Sequence, residues 1–138
     1  MNKIRMIALA ACMAATLDAS AQEQEIRLFS HRGGRMEHDE NTLSAFQASY
    51  DAGYRGFETD IRMTRDGALV ITHDSSLERT TDGTGTVEEK TEAEIRRLRT
   101  KQGNKVLFLD ELLEFLEGKE GLYVEFEMKT HPAALYPE

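Results

Sequence analysis

The chain has 138 residues, 40% of them hydrophobic, and a formal net charge of −8, enough for one domain with a modest core. The acidic balance argues against nucleic acid or an anionic membrane as a docking partner, but not against a small anionic substrate met by a few local cations. The only cysteine is Cys12, so no disulfide can form within the chain.

At the start, Lys3 and Arg5 precede an apolar run from Met6 to Leu17, and Ala19-Ser20-Ala21 follows as an A-x-A cleavage pattern. This predicts a signal peptide over residues 1–21, with export to the periplasm or the extracellular side. The run is shorter than the roughly 20 apolar residues of a bilayer span, so no stable membrane span is expected. Leu9-Ala10-Ala11-Cys12 offers a second reading, the lipobox of bacterial lipoproteins, in which Cys12 would carry a lipid anchor. The apolar run continues past Cys12, which favours ordinary cleavage.

Residues 26–31 read as a buried strand entering the loop His31-Arg32-Gly33-Gly34. Asn41 or Thr42 caps a predicted helix reaching Ala52, with Leu43, Phe46 and Tyr50 on one side and Gly53 as its stop. Residues 56–63 predict a second strand, Arg65-Asp66-Gly67 a tight turn, and residues 68–73 a third strand. Thr91 and Glu94 have capping-box spacing ahead of a short helix, and Asp110 is a second candidate cap, with Leu112, Leu113 and Leu116 expected to face inward. Residues 122–130 predict a fourth strand. Alternation of strand and helix favours a parallel sheet with helices outside it. The short turn after Met63 is the exception, because a hairpin there would make the second and third strands antiparallel.

The chemistry collects on those strands. Glu58 and Asp60 are two apart, so both carboxylates face one way, and Glu125, Glu127 and Lys129 repeat the arrangement. Either strand alone reads as a solvated sheet face. Both together, beside His31 and His73 at two further strand ends, read as a reaction centre. Carboxylates crowded into one site repel, and a hard divalent cation, Ca²⁺ or Mg²⁺, relieves the repulsion. Histidines titrating near neutral pH suit proton transfer. Arg32 and Lys129 add cations able to hold a phosphate. Such a set suits phosphoester cleavage. Asp82-Gly83-Thr84-Gly85 reads as a glycine turn, since no P-loop lysine follows. His38 and His131 are expected to be solvated.

At these residues the chain resembles the glycerophosphodiester phosphodiesterase family. The resemblance rests on His31-Arg32-Gly33, Glu40-Asn41-Thr42, Glu58-Thr59-Asp60, Thr64-Arg65-Asp66-Gly67, His73-Asp74 with Leu77, Arg79, Thr80, Thr81, Gly83 and Gly85, and Glu127-Met128-Lys129. It implies a (β/α)8 (TIM) barrel with its site at the C-terminal strand ends. It implies metal ligation by Glu58, Asp60 and Glu127, acid–base work by His31 and His73, and phosphate binding by Arg32 and Lys129. The implied reaction releases glycerol phosphate and an alcohol such as choline or ethanolamine from a small-molecule glycerophosphodiester. It also implies a parallel connection between the second and third strands, and a small family insertion within residues 74–109. Asp39, Leu107-Phe108-Leu109 and Glu125 depart from the family pattern without removing a catalytic group. A (β/α)8 barrel takes roughly 250 residues, so residues 22–138 are expected to be its N-terminal half, with about four strands. A half-barrel is expected to self-associate or fold poorly. The alternatives are a phospholipid-cleaving enzyme on the same framework and a non-catalytic remnant that binds metal or a phosphodiester.

Overall fold

The computed structural model describes residues 27–130. The predicted signal peptide, Cys12 and His131 lie outside them. Strands β1 (Phe29–His31), β2 (Gly56–Met63), β3 (Leu69–Ile71) and β4 (Tyr123–Met128) form one sheet. Helix α1 (Leu43–Asp51) joins β1 to β2, while a 3₁₀ turn (Val87–Glu89), α2 (Glu92–Ile95) and α3 (Leu109–Leu116) lie between β3 and β4.

β2 is the hub. It pairs in parallel with β1, from Phe29↔Gly56 to His31↔Glu58, and in parallel with β4, from Gly56↔Tyr123 to Ile61↔Met128. Glu58 and Asp60 carbonyls accept from Arg32 and Thr72, whereas Arg55 and Ile61 carbonyls pair with Tyr123 and Lys129. Alternate carbonyls point to opposite edges, so β1 and β3 lie end to end on one edge and β4 takes the other. Covered on both edges and both faces, β2 is largely buried, as its Phe57 and Ile61 anticipate. These parallel strands with outer helices are part of a (β/α)8 barrel.

The parallel connection expected after β2 is not what forms. β3 runs antiparallel, with Ile61↔Ile71 and Met63↔Leu69. A parallel return needs a crossover of about a dozen residues. Here only residues 64–68 intervene, and Thr64 Oγ1 closes them by accepting from Ala68 N at 2.9 Å and donating to Asp66 at 2.7 Å. Gly67 takes φ +92°, the left-handed conformation that ends such a three-residue hairpin loop.

Two cores follow. Phe46 of α1, Phe57 and Ile61 of β2, Ile71, Leu107 and Leu112 of α3 pack between sheet and helices, with the Phe46 and Phe57 rings 5.6 Å apart. Val70, Leu77, Val87, Ile95, Val106 and Phe108 form a second cluster beneath the segment after β3. That segment is therefore a packed unit able to hold a loop still.

Local signals fared unevenly. Thr42, not Asn41, caps α1 by accepting from Ala45 N at 3.3 Å, and the capping box at Thr91 and Glu94 forms as expected. Leu113 is exposed rather than inward, whereas Leu112 is fully buried and Leu116 packs against the core; on α1, Phe46 and Tyr50 reach the core with Ala45 and Ser49 while Leu43, on their side, is exposed. α3 starts at Leu109, with Phe108 as its cap position and Glu111 accepting from Phe108 N, so Asp110 lies within the helix.

On the inner face, Phe29, Gly56 and Tyr123 stand in one register row. With no side chain between them, the Phe29 and Tyr123 rings meet edge-on across Gly56 at 5.4 Å. A Cβ at Gly56 would lie 2.5 Å from the Leu28 carbonyl oxygen.

Candidate active site

One row nearer the C-terminal strand ends, the register brings His31, Glu58 and Glu125 together, and Asp60 pairs with Glu127 beyond them. Among the described residues, Glu58, Asp60 and Glu127 form the one carboxylate group whose ligand atoms all lie within 4.8 Å of one another. Glu125 sits beside Glu58 in register but outside that group.

Asp60 is the buried centre. Its Oδ2 accepts from Asn41 Nδ2 at 3.1 Å and lies 3.2 Å from Arg32 Nε; its Oδ1 lies 3.4 Å from Lys129 Nζ. Neither Asp60 Oδ1 nor Arg32 Nε makes a hydrogen bond, although both are buried. A buried carboxylate oxygen with only the Lys129 ammonium nearby, outside hydrogen-bond geometry, and facing two further carboxylates fits a cation held by oxygen atoms. Burial first, and then the charge of Asp60, raises the Glu58 pKa above the ordinary carboxylate value. Glu127 shifts the other way, lowered mainly by the Lys129 ammonium 2.6 Å away, and Lys129 is raised by the same bond.

The histidines flank this group differently. His31 Nε2 is 3.5 Å from Glu58 Oε2, and the side chain is half exposed. His73 turns Nδ1 to Asp74 Oδ1 at 2.6 Å. Asp74 is held at about 2 by the Arg79 guanidinium first and by His73 as well. The backbone carbonyl of His73 accepts from Arg62 Nε at 2.8 Å, and Arg62 is fixed by Glu88 at 2.7 Å.

All seven residues singled out in the sequence, His31, Arg32, Glu58, Asp60, His73, Glu127 and Lys129, thus gather at the C-terminal ends of β1, β2 and β4 and just beyond β3. What sequence reasoning missed is the layer behind them. Asn41, read as a cap, takes φ +57° and bridges Thr59 and Asp60, accepting from Thr59 Oγ1 at 3.0 Å. Arg32 also has positive φ, +53°, a strained conformation that turns its side chain back to Asp60 and Glu40. Gly33 follows at φ +74°, where a Cβ would come within 2.9 Å of Ala45. The glycine turn at Asp82 is bonded on both sides, Asp82 accepting from Arg99 N and Gly85 N donating to Glu78. His38 is exposed, as expected.

The profile of the glycerophosphoryl diester phosphodiesterase family matches residues 31–137. A glycerophosphodiester phosphodiesterase of Caldanaerobacter subterraneus is 35% identical over 117 residues, covering 80% of this chain and 47% of its own length. The crystal structure of an Agrobacterium tumefaciens glycerophosphodiester phosphodiesterase superposes with a TM-score of 0.71 at 34% identity, over 80% of this chain and 50% of that one. An Oleispira antarctica phosphodiesterase, solved in complex with the product sn-glycerol-3-phosphate, gives a TM-score of 0.70 at 30% identity, over 75% of this chain and 44% of its own. The chain spans about half the length of these relatives. It belongs to the glycerophosphoryl diester phosphodiesterase family.

Proposed function

We propose that this chain carries the reaction centre of a divalent-cation-dependent hydrolase of glycerophosphodiesters, such as glycerophosphocholine or glycerophosphoethanolamine. The observation that carries the reading is the carboxylate group Glu58, Asp60 and Glu127, with a buried Asp60 oxygen that makes no hydrogen bond, His31 beside Glu58 and His73 near enough to Glu127 to act on its charge. These three residues would hold Ca²⁺ or Mg²⁺, which when bound supplies positive charge against the phosphate oxygens. Arg32 and Lys129 hold the phosphate with their charge. One histidine accepts the proton of a glycerol hydroxyl as that oxygen attacks phosphorus. The other donates a proton to the departing alkoxide as its bond to phosphorus breaks. Water then opens the cyclic phosphate by the reverse proton traffic, giving glycerol phosphate. The His73 side chain, with Nδ1 committed to Asp74, exchanges protons through Nε2.

The sequence also supports export through residues 1–21. Among the described residues no helix is long and apolar enough to cross a membrane.

Release of glycerol phosphate from glycerophosphocholine tests the reading. Activity is expected with Ca²⁺ or Mg²⁺, and is expected to vanish on chelation and in His31→Ala or His73→Ala. Full activity in either variant refutes the assigned roles. Cleavage of intact rather than deacylated phospholipid would move the substrate class, and calorimetric binding without product would reduce the chain to a phosphodiester-binding role.

A further inference from the structure

Resting on the phosphodiesterase reading above, we infer that Arg79 is a positioning residue that locks the proton-carrying His73 and the Arg32 assigned to the phosphate into one rigid arrangement. Its guanidinium is shared between two carboxylates from distant parts of the chain. Nε donates to Asp74 Oδ2, while Nη1 and Nη2 donate to Glu40 Oε2 and Oε1 at 3.0 and 2.7 Å. Glu40 Oε1 also accepts from Arg32 Nη1 at 3.3 Å, and Asp74 Oδ1 holds His73 Nδ1 at 2.6 Å. An unbroken series, Arg32, Glu40, Arg79, Asp74 and His73, therefore runs from the end of β1 to the end of β3.

An isolated exposed ion pair contributes little, and the Arg79 side chain is 48% exposed. This is not an isolated pair. Both carboxylates are already committed to site groups, and the planar fork fixes the angle between them as a lysine's single point charge cannot. Arg79 is also the largest cause of the lowered pKa of both Glu40 and Asp74. Asp74 is then an acceptor only, so the shared proton sits on His73 Nδ1 and Nε2 is left to face substrate. The loop that presents Arg79 is itself anchored, because Leu77 is buried in the second core and Thr81 Oγ1 donates to the Leu77 carbonyl at 2.7 Å.

The test is a set of three variants of the full chain, loaded with Ca²⁺ or Mg²⁺ and assayed on glycerophosphocholine. Asp74→Asn is expected to lower kcat with little change in KM. Glu40→Gln is expected to raise KM with little change in kcat. Arg79→Ala is expected to do both, by roughly 10- to 100-fold in kcat/KM, the range typical of groups that orient a reacting residue. A merely structural arginine would lower the melting temperature and the active fraction while leaving kcat and KM per active site unchanged. Arg79→Lys, which keeps the charge and guards against misfolding, is expected to recover less than half of the loss; full recovery would overturn the locking role. The His73 Nδ1–H proton, followed by NMR, supplies an arm independent of turnover. It is expected as a sharp, hydrogen-bonded resonance in the native chain and is expected to broaden away in Arg79→Ala. Its persistence in Arg79→Ala, or kcat and KM both within two-fold of the native values, would overturn the inference. A native chain that releases no glycerol phosphate would overturn the phosphodiesterase reading instead, while the NMR comparison still decides what Arg79 holds.

Discussion

Replacing Asp60 by Asn should barely change the stability of the metal-free chain and yet abolish cation binding. The Asp60 side chain is 1% exposed, with Arg32 Nε at 3.2 Å and Lys129 Nζ at 3.4 Å. At an effective dielectric constant near 20, each of those attractions is about 5 kcal/mol. Glu58 and Glu127, within 4.8 Å, repel the same charge by about 3.5 kcal/mol each at that dielectric. The remaining attraction, about 3 kcal/mol, is comparable to the several kcal/mol that desolvating a buried carboxylate costs. Arg32 keeps Glu40 and Lys129 keeps Glu127 when the charge is removed, so neither cation is stranded. The net change in the metal-free chain should therefore be under about 2 kcal/mol. The native chain at a cation concentration 100 times its dissociation constant gains about 2.7 kcal/mol, or roughly 10 °C or more in Tm for a domain of this size. Asp60→Asn should show no such shift. Thermal melts with and without Ca²⁺ and Mg²⁺ measure both quantities. A native-like cation shift in Asp60→Asn, or a loss above about 2 kcal/mol without cation, would refute the charge balance argued here.

Cation affinity should fall between pH 7 and pH 5 more steeply than an ordinary carboxylate site allows, because the raised pKa of Glu58 means a proton competes for it earlier; calorimetry at the two values checks this. Asp74 works in the opposite sense. Its pKa is depressed in the fold from 3.8 to about 2, so its stabilisation is present above pH 3.8 and is lost as pH falls towards 2. Discounted for partial exposure, that is on the order of 1 kcal/mol, and Asp74→Asn should match the native chain in denaturant unfolding only at the acid end. Gly56→Ala should cost about 1–3 kcal/mol, since its Cβ would meet the Leu28 carbonyl oxygen at 2.5 Å; a neutral effect in the same assay would mean that β1 can shift away. The 138-residue chain should also self-associate, because Leu28, Tyr123, Phe126 and Met128 are exposed and, among the described residues, the second edges of β1 and β4 are unpaired. A compact, cooperatively unfolding monomer on size-exclusion chromatography would refute that expectation.

Much of this molecule could be read from residue order alone. Period-two spacing put Glu58 with Asp60 on one side of their strand, and Glu127 with Lys129 on one side of theirs, because a strand allows no other arrangement of those side chains. Thr42, Thr91 and Gly67 marked turns and caps because each satisfies or frees the backbone within three or four residues of itself. What the sequence could not decide was anything requiring partners far apart in the chain. The direction of β3 was not among these, since the short turn after Met63 already offered the antiparallel hairpin that the resemblance set aside and that the 64–68 loop forms. Leu43 and Leu113 shared the helical spacing of core residues, but they fall at the margins of the faces that Phe46 and Tyr50, and Leu112 and Leu116, turn to the core. Asn41 lies nineteen positions from Asp60, and Arg79 thirty-nine from Glu40, separations at which no local rule assigns a contact. The reacting groups were therefore legible in the sequence, while the backbone strain and hydrogen bonds that aim them exist only once β1, β2 and the loop after β3 converge on Asp60.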